Sequence, residues 1–134
     1  MKLSSKAITA IKMFIDLGEH IDEGYISLKD IAQRKEISKK FLEQIVPIYK
    51  NNKLLLCNRG NQGGYKLAKS PTQISLKEIV YVMESFLSKD TCNLVPIDGV
   101  LLDVDKLLDQ YFSSVSLADL IEKQKESYAN DYSI

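Results

Sequence analysis

The chain has 134 residues, 45% of them hydrophobic, enough for one domain with a real core or one domain with an appended helix. No run approaches the roughly 18 consecutive apolar residues of a membrane span. Met1-Lys2-Leu3-Ser4-Ser5-Lys6 has no apolar block leading to a cleavage site, and two cysteines 35 positions apart are too few for a disulfide framework, so a soluble, cytoplasmic protein with no membrane partner is expected. The net charge of zero conceals a split: residues 1–70 hold 13 Lys/Arg against 7 Asp/Glu, residues 71–134 hold 5 against 11, and 29–69 alone carry 10 basic to 3 acidic. The first half suits a polyanion; attraction between the two halves is the alternative.

In chain order, residues 4–17 carry Ala7, Ile8, Ala10, Ile11, Phe14 and Ile15 at helical spacing, with Gly18 read as the stop. Four later segments share one start signal: an apolar residue, a Ser N-cap, and a second apolar residue five positions after the first. They are Ile26-Ser27…Ile31, Ile37-Ser38…Leu42, Ile74-Ser75…Ile79 and Val115-Ser116…Leu120. In each, the hydroxyl can accept from a free first-turn N–H while the apolar pair staples the chain entry. Asp30, Glu78 and Asp119 add an acid that favours the helix dipole. The spacing predicts helices over 28–35 and 39–51 with only Glu36 and Ile37 between them, as in a helix-turn-helix. Pro47 is expected to kink or tighten the second of these, whose apolar side is read as Phe41, Leu42, Ile45 and Ile48.

Asn51-Asn52 then precedes two apolar runs, Leu54-Leu55-Leu56 and Tyr65-Lys66-Leu67, around a tip with three glycines, two amides and Arg59. This reads as a β-hairpin. A fourth helix is predicted over 76–87, followed by a polar connector over 88–97. Over 98–112, Val100, Leu101, Val104, Leu107, Leu108, Tyr111 and Phe112 recur at three and four. A small winged head has little surface left on which to bury that stripe, so Val100, Leu101, Val104, Leu107, Leu108 and Tyr111 are expected to form a symmetric dimer seam. A helix folding back on its own domain is the alternative, and the tail from Lys123 is expected to fray. The whole is mainly α with a small β-hairpin wing: a winged helix-turn-helix over 1–87, the connector, and a dimerisation helix with a C-terminal helix over 98–134.

The N-terminal end of the second helix of such a motif enters the major groove. Ser38, Lys39 and Lys40 then reach phosphates or guanine edges, and Gln44, one turn on, reaches adenine. Lys29 joins this basic set. Glu43 either accepts from a cytosine amino group or tunes selectivity by repelling phosphate. In the wing, Arg59 can enter a minor groove or fork onto a phosphate. Gly60, Asn61, Gln62, Gly63 and Gly64 shape the tip and let backbone N–H groups approach, while Tyr65 reads as a packing anchor. A solvated face is the simpler reading of any one lysine; the set together with the wing points to double-stranded DNA.

Enzymatic readings are thin. His20 is the only histidine and stands in a helix-end turn, so any Ser–His or Cys–His arrangement would depend on it. A phosphate-binding loop starting at Gly60 would need Gly-Lys-Ser/Thr where Tyr65 stands. No catalytic residue is expected. A winged-helix interaction module that binds no DNA is the competing class, and ten basic residues around a glycine tip argue against it.

Six stretches carry a further signal: Met1-Lys2-Leu3-Ser4, Asp16-Leu17-Gly18-Glu19-His20, Ser27-Leu28-Lys29-Asp30-Ile31-Ala32, Ile37-Ser38…Phe41-Leu42-Glu43-Gln44-Ile45, Arg59-Gly60…Gly63-Gly64-Tyr65…Leu67-Ala68 and Val115-Ser116-Leu117-Ala118-Asp119-Leu120. Over nearly its whole length the chain resembles the Rrf-type (IscR/NsrR/CymR-like) family of bacterial regulators. The resemblance implies a homodimeric winged-helix transcription factor, usually a repressor, on a near-palindromic operator. For many members it also implies an iron–sulfur cluster held by three cysteines between the fourth helix and the long helix. Here that region holds only Cys92, and the positions six and twelve further on are Asp98 and Val104. Valine cannot ligate iron, so neither an iron–sulfur cluster nor another metal site is expected. Cys57, in the first wing strand, reads as inert core. Cys92 is a candidate thiol redox sensor; a bystander thiol, or a metabolite or partner-protein effector, are the alternatives.

Overall fold

The computed structural model describes residues 3–61, 63–84 and 98–132. Ser4 opens the first helix, α1 (Ser5–Glu19), its Oγ accepting the Ala7 N–H at 3.2 Å. Gly18 does not end α1. A Cβ there would stand 2.5 Å from Ile121 Cδ1, so the glycine is the gap through which the last helix approaches. His20 closes α1 instead, donating its backbone N–H to the Asp16 carbonyl.

All four serine caps form, each accepting a backbone N–H three residues on at 3.1–3.2 Å. They open α2 (Leu28–Lys35), α3 (Lys39–Asn51), α4 (Leu76–Val80) and, after α5 (Asp98–Ser114), α6 (Leu117–Tyr132). Ser116 alone of the four has the reciprocal bond, donating its N–H to Asp119 Oδ2 at 3.0 Å, which completes a capping box. Between α2 and α3, Glu36 adopts the left-handed conformation (φ 54°) and the Ile37 N–H returns to the Ala32 carbonyl at 3.1 Å. Pro47 lies inside α3. Leu42, Ile45, Val46 and Tyr49 form the buried stripe of that helix. Ile48, expected inside, is 40% exposed because this stripe turns it to the outer side beside Pro47.

β1 (Leu55–Asn58) and β2 (Gly64–Leu67) pair antiparallel, with Leu55 opposite Leu67 and Asn58 opposite Gly64. Ile26 adds a single antiparallel bridge on the other edge of β2: its N–H meets the Tyr65 carbonyl at 2.9 Å, and the Tyr65 N–H meets its carbonyl at 2.8 Å. A Cβ on Gly64 would collide with the Ile26 carbonyl, so only glycine permits this approach.

Of the helix expected over 76–87, the described residues form only Leu76–Val80, and 85–87 lie outside them. After Val80 the chain tightens, with the Met83 N–H on the Val80 carbonyl at 3.0 Å. Glu84 is buried, its Oε1 accepting the Ser4 N–H at 2.7 Å and the Ser4 hydroxyl at 2.6 Å. The connector with Cys92 lies outside the described residues. The tail does not fray at Lys123. Leu117, Leu120 and Ile121 dock onto the core, and the helix they start runs to Tyr132, its 122–126 stretch of Glu, Lys and Gln being good helix formers.

The main core gathers Phe14, Leu42, Tyr49, Leu55, Ile79 and Leu117, among others; a second gathers Leu76, Val80, Phe112 and Val115. The Phe14 and Tyr49 rings meet edge-on at 4.8 Å, and the Tyr49 hydroxyl donates to the Ile79 carbonyl. Backbone bonds from Leu76 to the Val115 carbonyl and from Leu117 to the Ile74 carbonyl, both 2.8 Å, stitch the joint between α5 and α6 onto the head. The C-terminal part therefore does fold back, through the end of α5 and the start of α6.

Candidate nucleic-acid interface

Four of the side chains read as DNA contacts stand exposed on one edge of α3: Ser38 as its cap, Lys39 and Lys40 in the first turn, and Gln44 one turn later. Lys29 is exposed in the first turn of α2, and Arg59, Gly60 and Asn61 are exposed at the wing tip. Gln62 lies outside the described residues. Gly60 (φ 121°) turns the tip, and the Gly63 N–H closes it on the Gly60 carbonyl at 2.9 Å. Gly64, placed by sequence among the DNA-contacting glycines, is buried against Ile26. It seats the wing and presents nothing to a ligand.

The basic residues of this half divide by what they touch. Arg34 forks onto Asp16, Nε to Oδ1 at 2.9 Å and Nη2 to Oδ2 at 2.8 Å, and Asp16 is fully buried. The Asp16 hydrogen bond, above all, raises the guanidinium pKa further. Lys35 pairs with Glu19 at 2.8 Å and Lys69 with Glu78 at 3.0 Å. Lys66 lies 4.7 Å over the Tyr25 ring, and Lys39 stands 3.9 Å from Glu43. Lys29, Lys40, Lys50, Lys53 and Arg59 have no carboxylate partner among the described residues.

Between α3 and the wing runs a groove of about 530 Å³, lined by Pro47, Lys50, Cys57, Asn58, Arg59 and Tyr65 among others. Lys50 and Asn58 escaped the sequence reading. The signal was there: Lys40, Gln44, Pro47 and Lys50 share one outward side of the helix, which leads from its N-terminal end to the wing. Tyr65 has its hydroxyl pKa raised, first by burial and then by its hydrogen bond with Cys57. Cys57 is half-buried and lines this groove.

In the C-terminal part of the chain, α5 leaves an apolar face open. Val100, Leu107 and Tyr111 are 64%, 65% and 56% exposed, and Leu101, Leu102 and Val104 are exposed beside them. Leu108, expected in the same seam, packs half-buried on the second core next to Phe112. It belongs to the side of α5 that Lys77 clamps to α4, Nζ to Asp109 Oδ1 at 2.6 Å.

A helix-turn-helix flanked by a hairpin wing places the protein among the winged-helix DNA-binding transcriptional regulators, which are not enzymes. The family model described as "Iron-dependent Transcriptional regulator" matches residues 3–123, and the chain belongs to that family, Rrf2. It is 28% identical over 134 residues to the HTH-type transcriptional regulator IscR of Photorhabdus laumondii, an alignment that covers 93% of this chain and 82% of that one. IscR of T. potens is similar in structure, with a TM-score of 0.80 and 32% identity over 95% of this chain and 90% of that one. So is CymR, the global cysteine regulator of B. subtilis: TM-score 0.78, 28% identity, covering 92% and 98% of the two chains. No helix of the described residues is long and apolar enough to cross a membrane.

The family description names iron, and the donor set of this chain fits a cluster poorly. Its two cysteines are Cys57, half-buried in the wing, and Cys92. Among the described residues no group of three His, Cys, Asp or Glu side chains converges. Three thiolates between α4 and α5 are not to be had from this sequence.

Proposed function

We propose that the protein is a cytoplasmic homodimeric repressor that reads a near-palindromic operator, with residues 1–87 as the reading head and 98–134 as the dimerisation unit. The observation that carries this reading is the distribution of cations. Lys40, Lys50 and Arg59 along α3 and the wing, and Lys29 in the first turn of α2, stand without carboxylate partners among the described residues, while Arg34, Lys35 and Lys69 are already paired. Such an edge is electrostatically incomplete until it meets phosphates. In the complex, α3 enters the major groove by its N-terminus, with Ser38, Lys39 and Lys40 on phosphates or guanine edges and Gln44 on adenine. Arg59 enters the adjacent minor groove, and Lys50 and Asn58 receive the backbone that crosses the groove between them. The exposed α5 stripe of Val100, Leu101, Val104, Leu107 and Tyr111 seats the second copy, which sets two heads on two half-sites.

The signal enters at the connector, without a three-cysteine cluster. It acts through the Cys92 thiol, or through a metabolite or partner protein. Cys92→Ser separates these: it abolishes the response to oxidant in the first case only.

The function is tested by selection of duplexes from a random pool, followed by anisotropy titration at several salt concentrations. A near-palindromic sequence bound steeply more weakly as salt rises is expected. Failure to enrich any sequence would leave the interaction-module reading in its place.

A further inference from the structure

Arg34 and Lys35 lie in the last turn of α2, within the basic segment that recognises DNA in the function proposed above, on which this inference rests. Both are taken up by acids of α1. Asp16 is fully buried, and both its carboxylate oxygens are used by the Arg34 fork. The Asp16 backbone carbonyl is used too, by the His20 N–H at 3.1 Å and by His20 Nδ1 at 2.9 Å. One turn on, Glu19 holds Lys35 at 2.8 Å. A buried carboxylate with a planar two-point partner fixes orientation as well as distance. The Asp16–Arg34 fork is such a tie, and the one-point Glu19–Lys35 pair, three residues further along α1 and near the surface, adds a second hold on the placement of α2 against α1. α3 follows α2 after three residues, held by the Ile37 N–H on the Ala32 carbonyl.

We infer that Arg34 and Lys35 are positioning residues: they set the angle at which α3 meets the major groove, and they neutralise no phosphate. The consequence is specific. Non-specific affinity comes from phosphate neutralisation, whereas sequence discrimination comes from the placement of side chains on base edges. Removing the fork should therefore lower operator binding while leaving binding to unrelated duplex, and its salt slope, where they were. Removing a residue that does bind phosphate lowers both.

The test compares wild type, Arg34→Lys, Lys35→Gln and Arg59→Ala, all full-length and checked for native circular dichroism at the titration temperature. Each is titrated against the selected duplex and a scrambled one across a salt series. Arg34→Lys keeps the charge and loses the fork; operator affinity is expected to fall roughly tenfold, scrambled-duplex affinity and salt slope to stay constant. Lys35→Gln removes a surface pair, so the fold survives, and it should show the same signature at smaller size. Arg59→Ala should weaken both duplexes and cut the slope by about 1.8 per dimer, at about 0.9 for each phosphate no longer neutralised. The inference is overturned if Arg34→Lys binds operator like wild type. It is equally overturned if Lys35→Gln lowers the slope as Arg59→Ala does. Wild type that prefers no duplex at all would instead sink the DNA-reading function, a distinct outcome.

Discussion

The α3–wing edge and the α5 face are both exposed and unpartnered, and their chemistry is opposite. The first carries Lys40, Lys50 and Arg59 around backbone and amide groups; the second carries Val100, Leu101, Leu102, Val104 and Leu107. Binding through the first is electrostatic and weakens with salt. Binding through the second is apolar burial, which salt hardly weakens. In the function proposed above, one chain thus carries two recognition surfaces that a salt titration can address separately. What keeps them in fixed relation is the joint at Val115–Leu117, where α5 and α6 meet and both flanking backbone bonds go to the head.

The largest effect should come from the apolar side. Leu107→Asp adds a charge to a face that, in the monomer, costs nothing to wet, so the fold should stand while the dimer fails. Operator affinity should then drop about 10²–10⁴-fold, the change expected when two linked binding events become one. Sedimentation velocity at micromolar protein, beside the anisotropy titration, checks both halves. A dimer that persisted would remove α5 from the interface. Next comes Arg59→Ala, which should cost roughly 1–3 kcal/mol of operator affinity as the wing gives up its hold on the groove, with no change in Tm or dimerisation. If that variant bound operator as tightly as wild type at physiological salt, the wing would have no part in DNA binding.

Gly64→Ala attacks the same wing from behind. The added methyl meets the Ile26 backbone, where nothing can rotate away. A drop of roughly 1–2 kcal/mol in stability is expected from the overpacking, together with weaker operator binding although Arg59 is intact. Thermal unfolding and anisotropy measured on one preparation would tell this from a direct effect at the DNA: full affinity in a destabilised protein would mean that the seating of the wing on Ile26 is irrelevant to DNA.

Much of this architecture was legible because it is local. Each Ser-capped start was visible as a staple and a hydroxyl, and each helix begins where its serine says. What escaped is what depends on a distant partner. Gly18 reads as a stop until Ile121 is seen against it; Ile48 reads as core until Val46 and Tyr49 are seen to fill it. Where the chain leaves α4, Glu84 reaches across 80 positions to Ser4, a partner no local pattern announces. Within the site, the exposed residues of α3 and the wing were readable from type and spacing. Two things were not: that Arg34 is already taken by Asp16, and that Lys50 shares a groove with Arg59. Composition counts cations, and only packing says which remain available.

The smallest effect tests the joint that relates the two surfaces. The Ser116 N–H donates to Asp119 Oδ2, and that carboxylate belongs to the box that starts α6. The backbone and side-chain hydrogen bonds from Ser116, in that order, hold the Asp119 carboxyl below its usual range. A carboxyl whose folded pKa is depressed contributes stability above its unfolded pKa and loses it as pH falls through the folded one. Wild type should accordingly melt slightly above Asp119→Asn at pH 7, and the gap should close as pH falls through and below the ordinary carboxylate range. Because the group is exposed, added salt should narrow the gap as well. A gap that persisted unchanged in acid would mean that the substitution acts through packing at the start of α6, and that the charge contributes nothing to holding α5 and the head in register.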